Sequence, residues 1–194
     1  IVGIIMIAYV LIGGMKGTTY VQMIKAVLLI GGVIIMTIII FVAVKGNFSQ
    51  LLTEAVQAHG GNEAILEPGM KYAESDTSKL DFIALGLSLA LGVAGLPHVL
   101  MRFYTVPTAK EARKSVTWAI VLIGGFYLLT LFLGYAAAAW VGPETIKNAP
   151  GGANAAAPLL ALELAGPIFM ALISAVAFAT VLAVVAGLAI TASA

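Results

Sequence analysis

The chain has 194 residues, of which 61% are hydrophobic and 10% charged, with a formal net charge of +1 and a mean hydropathy of +1.08. That balance excludes an ordinary soluble globular domain, and a near-neutral charge offers no basic face to nucleic acid. With no cysteine there is no disulfide framework, thiolate metal site or cysteine nucleophile, and the two histidines, His59 and His98, stand too far apart for a local metal motif.

The apolar runs read as membrane spans, since about 20 helical residues cross roughly 30 Å of hydrocarbon. The chain opens inside one such run at Ile1 and stops inside another at Ala194, the pattern expected of an internal piece of a longer transporter. The prediction is an all-α polytopic membrane protein with five transmembrane helices, the third of them broken. The first span is 1–14. Gly13-Gly14-Met15-Lys16-Gly17-Thr18 is expected to turn the chain, and Thr18 to cap a second span at 19–44. Lys25 lies within two turns of that span's start, where it reads as a side chain snorkelling to the headgroups rather than as part of an ion path.

Residues 45–78 carry the punctuation of an external loop: Gly46, Gly60-Gly61, Pro68-Gly69 and Ser75-Asp76-Thr77-Ser78. One amphipathic helix is predicted inside it, because Phe48, Leu51, Leu52, Ala55 and Val56 recur at helical spacing behind Asn47, a capping residue, with Gln50 three positions on. Its apolar face belongs on the membrane surface or on the protein's own bundle. His59 beside the glycine pair reads as a solvated loop residue.

The third span, 80–103, holds the stretch Gly92-Val93-Ala94-Gly95-Leu96-Pro97-His98-Val99-Leu100-Met101-Arg102-Phe103. Two glycines and a proline within six residues are expected to unwind the helix, and backbone freed inside hydrocarbon must face protein or a water-filled cavity. Broken spans of this kind form substrate sites in secondary transporters, where a half-helix start offers N–H groups and a positive dipole end to an anion. Gly92, Ala94, Gly95, Leu96, Pro97 and His98 are therefore the expected lining of a path for a small anionic solute. Pro97 suits the first turn of a second half-helix. His98 has two readings: a polar or protonatable group beside the anion path, or a structural imidazole bonded to a carbonyl freed by the break. Arg102, at the span's edge, reads as a topology-fixing charge.

A short basic loop follows, then a fourth span at 116–141 with Gly124-Gly125 as a bending or close-packing point. Residues 142–157 form a second Gly/Pro/Asn loop, and 158–165 a short helix whose Glu163 reads as a surface group. The fifth span, 166–194, carries small residues every four positions, Ala171, Ala175, Ala179, Ala183, Gly187 and Thr191, a spacing that lets another helix approach closely. Ser174 and Thr180 supply hydroxyls, either back-bonded to the preceding turn or available to a cation.

Six of the ten Lys and Arg residues, and one of the nine acids, fall on the side of the loop 102–115. By the positive-inside rule that loop is expected in the cytoplasm, loop 45–78 outside, and the protein in the cell's inner (plasma) membrane. No P-loop, Rossmann glycine fingerprint, H-E-x-x-H or G-x-S-x-G is present, which leaves ATP-driven transport and the common membrane hydrolases without support. No enzyme activity is expected.

At Gly95-Leu96-Pro97-His98-Val99-Leu100-Met101-Arg102-Phe103 the chain resembles the solute:sodium symporter family, which often carries a G-x-P-H-x-x-x-R-F pattern at such a break. Gly13-Gly14-Met15-Lys16 followed by Thr19-Tyr20-Val21-Gln22 is similar to the family's glycine-pair turn and T-x-x-Q segment. Within the family, Arg102-Phe103-Tyr104-Thr105-Val106, Glu111-Ala112-Arg113-Lys114-Ser115 and the run 174–188 look most like the bacterial cation/acetate symporters. The resemblance implies a LeuT-type inverted-repeat bundle, of which this chain holds the last two core helices of the first repeat and the first three of the second. It also implies cation-coupled symport of a small monocarboxylate such as acetate, with Na+ or H+ as the coupling ion and no other cofactor. Sodium is then expected near Ala179, Thr180 and Ala183, facing an unwound helix among the transporter's missing helices. Ala183-Val184 stands where many members have a hydroxyl pair, which leaves sodium and proton coupling both open. A symporter for another small organic solute is one alternative, and a channel or structural membrane subunit is another.

Overall fold

The computed structural model describes the backbone of residues 2–67, 69, 72, 75–96, 100 and 106–193. Among the described residues the long elements are all helices: α1 (Val2–Ala43), α2 (Phe48–Ala58), α3 (Asp76–Gly95), α4 (Ala109–Ala136), α5 (Pro143–Asn148) and α6 (Ala156–Ser193). Single 3-10 turns lie at Glu63–Leu66 and Gly152–Ala155, and a π turn at Ala137–Val141 extends α4. Four stretches are long and apolar enough to cross a membrane, Thr19–Ala43, Asp76–Gly95, Ala109–Val141 and Gly152–Ala189. The chain forms two compact units, Ile1–Gly61 with Gly124–Ala194, and Asn62–Ile123.

One expectation is corrected at the start of the chain. The turn foreseen at Gly13–Thr18 is not formed, and the spans 1–14 and 19–44 are one helix, α1. No proline interrupts residues 1–43, and each glycine costs a helix only about 1 kcal/mol relative to alanine. Glycine without a proline or a positive-φ turn is too weak a breaker here.

In the first unit α1 closes with Gly46 N–H on the Phe41 carbonyl at 2.9 Å, and the chain reverses through Lys45 and Gly46 at φ 51° and 75°. Asn47 then caps α2, its side chain accepting from Gln50 N–H at 3.3 Å, as the sequence predicts. The apolar face of α2 packs on the protein's own bundle: Leu51 and Ala55 are fully buried, with Met36, Ile40 and Val44 of α1, Leu133 and Ala136 of α4, and Leu160 and Ala161 of α6 in the same core. The Phe48 and Phe132 rings meet at a tilt of 59°, 4.8 Å apart. A polar bond locks the arrangement, since Trp140 Nε1 donates to Glu54 Oε2 at 2.9 Å while Gln50 Nε2 holds Oε1 at 2.8 Å. Trp140→Phe keeps most of the ring and removes the donor; the expected cost is about 1–2 kcal/mol, read as a lowered thermal midpoint in detergent. An unchanged midpoint would show that α2 is held by its apolar face alone.

Helix α6 is two rods. Ala165 and Gly166 leave helical geometry (φ −149°, ψ 16° and φ 80°, ψ −173°), and Pro167 opens the longer rod. Only glycine takes Gly166's positive φ without strain, and a missing N–H costs nothing at the first turn. The longer rod packs along α1. The small-residue stripe is not the packed face throughout: Ala171, Ala175 and Ala179 are exposed, Ala183 is buried and Gly187 half-buried, while the side chain of Thr191 lies outside the described residues. Val176 and Ala186, outside the stripe, are buried as well, and Ile173 fits against Gly32, where a Cβ would sit 2.9 Å from Ile173 Cδ1. The glycine on α1 admits the tip of Ile173, and among the described residues Ala183 and Ala186 are the alanines of this rod that are buried. Glu163 is exposed, as expected of a surface acid.

In the second unit Ser75 caps α3 by accepting from Ser78 N–H at 3.1 Å, and Lys79 pairs with Asp76 at 3.0 Å. Tyr72 and Phe82 rings lie 5.4 Å apart. Thr108 accepts from Glu111 N–H at 3.3 Å, so α4 begins at Ala109, ahead of the expected 116. No residue of Asp76–Gly95 is buried.

Candidate functional site

The helix α3 stops where the sequence places its breakers. Gly92, Ala94 and Gly95 form its last turn, and Leu96 is extended at φ −66°, ψ 113°, its N–H only 3.4 Å from the Val93 carbonyl. Leu100 is helical again and donates its N–H to the Leu96 carbonyl at 3.2 Å. Leu96 therefore closes α3. Pro97 and His98, with Arg102 and Phe103, lie outside the described residues. Among the described residues, no atom lies within 4 Å of a Cβ built on Gly92 or Gly95.

The depth of this interruption follows from the sequence. Asp76, Lys79 and Asp81 keep the first turns of α3 polar, and the uncharged part starts at Phe82. From Phe82 to Gly95 the helix rises roughly 21 Å, short of the roughly 30 Å of hydrocarbon. Counted from Asp76 the helix is long enough to cross, and its uncharged part alone is not.

The residues expected to hold a cation lie on α6, in the other unit. Thr180 is half-buried and its hydroxyl donates to the Val176 carbonyl at 2.9 Å. The back-bond uses the proton and leaves the oxygen lone pairs to a ligand. Ala183 is buried, and its carbonyl accepts from Gln22 Nε2 of α1 at 3.0 Å. Ala179 is exposed and offers no side-chain donor. Thr180 and Ala183 lie three residues apart on α6, but the Ala183 oxygen stands seven residues, about 10 Å, along the rod from the Val176 oxygen that the Thr180 hydroxyl bonds, so the two oxygens do not meet at one point. Among the described residues no group of three His, Cys, Asp or Glu stands ready for a metal.

Two further cavities open in the same unit. One of about 420 Å³ is lined by Pro150, Asn154, Pro158, Met170 and Ser174. The other, about 180 Å³, lies among Val33 and Met36 of α1, Phe126 and Leu133 of α4, and Ile173 and Val176 of α6, and also touches Asn154 and Pro158. Ser174 thus faces a cavity, whereas Thr180 faces its own helix first.

Gln22 is the residue that spacing alone does not assign. Its signal is a lone carboxamide in an apolar run with Lys25 three positions on, and the structure shows Lys25 Nζ donating to Gln22 Oε1 at 3.2 Å.

The family model described as the sodium:solute symporter family matches residues 1–194. The chain is 71% identical, over its whole length, to a monocarboxylic acid transporter of Corynebacterium glutamicum, and 47% identical, again over its whole length, to the uncharacterized symporter YwcA of Bacillus subtilis. It spans 37% of the length of each of these curated relatives. No solved structure matches.

Proposed function

The chain belongs to the sodium:solute symporter family, and from that premise we propose that it forms part of a secondary transporter carrying a small monocarboxylate, acetate in the simplest case, together with Na+ or H+ by alternating access. It is a membrane protein by composition and by its four membrane-length helices. The interrupted end of α3 at Leu96 carries the proposal. Open amide and carbonyl groups within the hydrocarbon layer are stable only against protein or water, and a wet pocket bordered by N–H groups at a helix start is suited to a carboxylate. The backbone of Gly92, Ala94, Gly95 and Leu96, with Pro97 and His98, lines the anion's path in this reading, and the Ala179–Ala183 turn of α6 takes the cation through Thr180 and main-chain oxygens.

The arrangement belongs to a LeuT-type bundle completed by the transporter's remaining helices, in the inner membrane, with loop 102–115 in the cytoplasm and loop 45–78 outside. What supports the sidedness is the concentration of Lys and Arg on the first of these loops. That the relative in Corynebacterium glutamicum is named a monocarboxylic acid transporter supports the substrate class. The test is uptake of labelled acetate by the full-length transporter in vesicles, with sodium and proton gradients imposed separately. Saturable uptake under one gradient is expected; its absence under both, for acetate and for propionate and pyruvate, would overturn the proposal.

A further inference from the structure

We propose that the two cavities beside α6 form one binding site for a short monocarboxylate, separate from the break in α3, with the acid's head in the larger cavity at Asn154 and Ser174 and its carbon tail in the smaller. The inference takes its solute from the reading above and adds a place where that solute rests. The larger cavity, about 420 Å³, has Asn154 and Ser174 among its walls, with Pro150 and Met170 beside them. The smaller, about 180 Å³, is walled mostly by hydrocarbon from Val33 and Met36 of α1, Phe126 of α4, and Ile173 and Val176 of α6. Asn154 and Pro158 border both. Met170 and Ser174 lie one turn apart on one face of the rod, and Ile173, Val176 and Ala177 on the next, so the cavities sit side by side around the same helix.

The polar groups left without partners decide where a head goes. Thr37, Thr130 and Thr180 each donate the hydroxyl proton to a carbonyl one turn back on their own helix, at 2.8, 2.8 and 2.9 Å, the usual resort of a hydroxyl in a spanning helix. Ser174, half-buried on the same rod as Thr180, makes no such bond among the described residues. A hydroxyl in apolar surroundings is costly until something accepts its proton, and this one stands at a cavity. Asn154 closes its turn through the main chain, its N–H on the Gly151 carbonyl at 3.2 Å, and its carboxamide has no partner among the described residues. Two donors with no acid on the walls suit a carboxylate, which only accepts. A carboxylate with a tail is divided as the site is, polar at one end and apolar at the other. A cavity of about 150 Å³ among aliphatic and aromatic side chains admits benzene, so one of about 180 Å³ holds a tail of about six carbon atoms.

The experiment measures displacement of labelled butyrate from the full-length transporter in nanodiscs, with empty discs as the blank, by acetate, propionate, butyrate, hexanoate and decanoate. Affinity is expected to rise about fourfold per methylene as far as hexanoate, the contribution of one buried CH₂, and to level off once the smaller cavity is full. Ala177→Leu, which fills that cavity from its own wall, flattens the series so that acetate and hexanoate bind alike. Should that variant not fold, Ala157→Leu, another wall residue, carries the same test. Ser174→Ala weakens every acid about tenfold without changing the slope, as the loss of one hydrogen bond to a charged group does. A flat series in the unaltered transporter, the result if a lipid tail or another of its helices fills the cavity, overturns the inference. So does a slope that survives both filling variants, which puts the tail elsewhere, or a Ser174→Ala series that coincides with the unaltered one. A sloping series with no uptake under either gradient fails the symporter reading and not this site, while uptake with a flat series fails this site and not the symporter reading.

Discussion

Full-length transporter carrying Gly95→Ala together with Pro97→Ala is expected to take up labelled acetate at least about tenfold more slowly than the unaltered protein, at matched amounts in the membrane. The last turn of α3 ends at Gly95 and Leu96 is extended, and the sequence that follows begins with Pro97. Alanine at both positions removes roughly 1 kcal/mol of helix penalty at the glycine and about 3 kcal/mol at the proline, and restores the N–H that proline lacks. Helix would then run through Leu96 and pair the main-chain groups a carboxylate needs. The maximal rate should suffer more than the stability, since a continuous apolar helix is comfortable in lipid. Gly95→Ala alone is expected to do far less, because no described atom lies within 4 Å of a Cβ there. Uptake by the double variant at the unaltered rate would show that the solute does not use the backbone at Leu96.

The second large effect is expected at Gly32. A Cβ at that position already meets Ile173 Cδ1 at 2.9 Å, so a leucine must push α1 and α6 apart along the contact that buries Val33, Met36, Val176 and Ala183. In lipid, packing rather than water exclusion holds helices together, and separating them forfeits it; about 3 kcal/mol, the upper end for overpacking, is the expected loss. Gly32→Ala should be close to neutral, since the atom it meets is the tip of a flexible side chain and alanine's helix preference of about 1 kcal/mol offsets the shift. Thermal unfolding in detergent distinguishes the two. Equal midpoints for Gly32→Leu and the unaltered protein would show that the approach of the helices at Ile173 is not needed for stability.

Features written into a few adjacent residues were legible in the sequence. Asn47 before a run of apolar residues at helical spacing specifies α2 and its cap, Gly166-Pro167 marks the start of the long rod of α6, and Gly92, Gly95 and Pro97 mark where α3 stops. Each signal acts on the main chain within one turn of itself, so no tertiary knowledge is required. The glycines at Gly13 and Gly14 failed as signals for the same reason in reverse: without a proline, their penalty is small enough for the helix to continue. Which face of α6 is packed was not legible, because alanines every four residues and the row through Ile173 and Val176 are both apolar, and the choice is made by Gly32 on a different helix. The bond from Gln22 to Ala183 joins residues 161 positions apart. Nothing local announces it, although a solitary amide among aliphatic residues asks for a partner.

The break at Ala165 and Gly166 also sets the phase of everything after it. Each residue advances a helix by about 100°, so one residue inserted between Gly166 and Pro167 would rotate the following rod by that amount while leaving its composition untouched. Ala183 would swing away from Gln22, and a different side chain would replace Ile173 against Gly32. The hinge therefore works like the keyed end of a shaft, fixing which oxygens of the rod reach its neighbour.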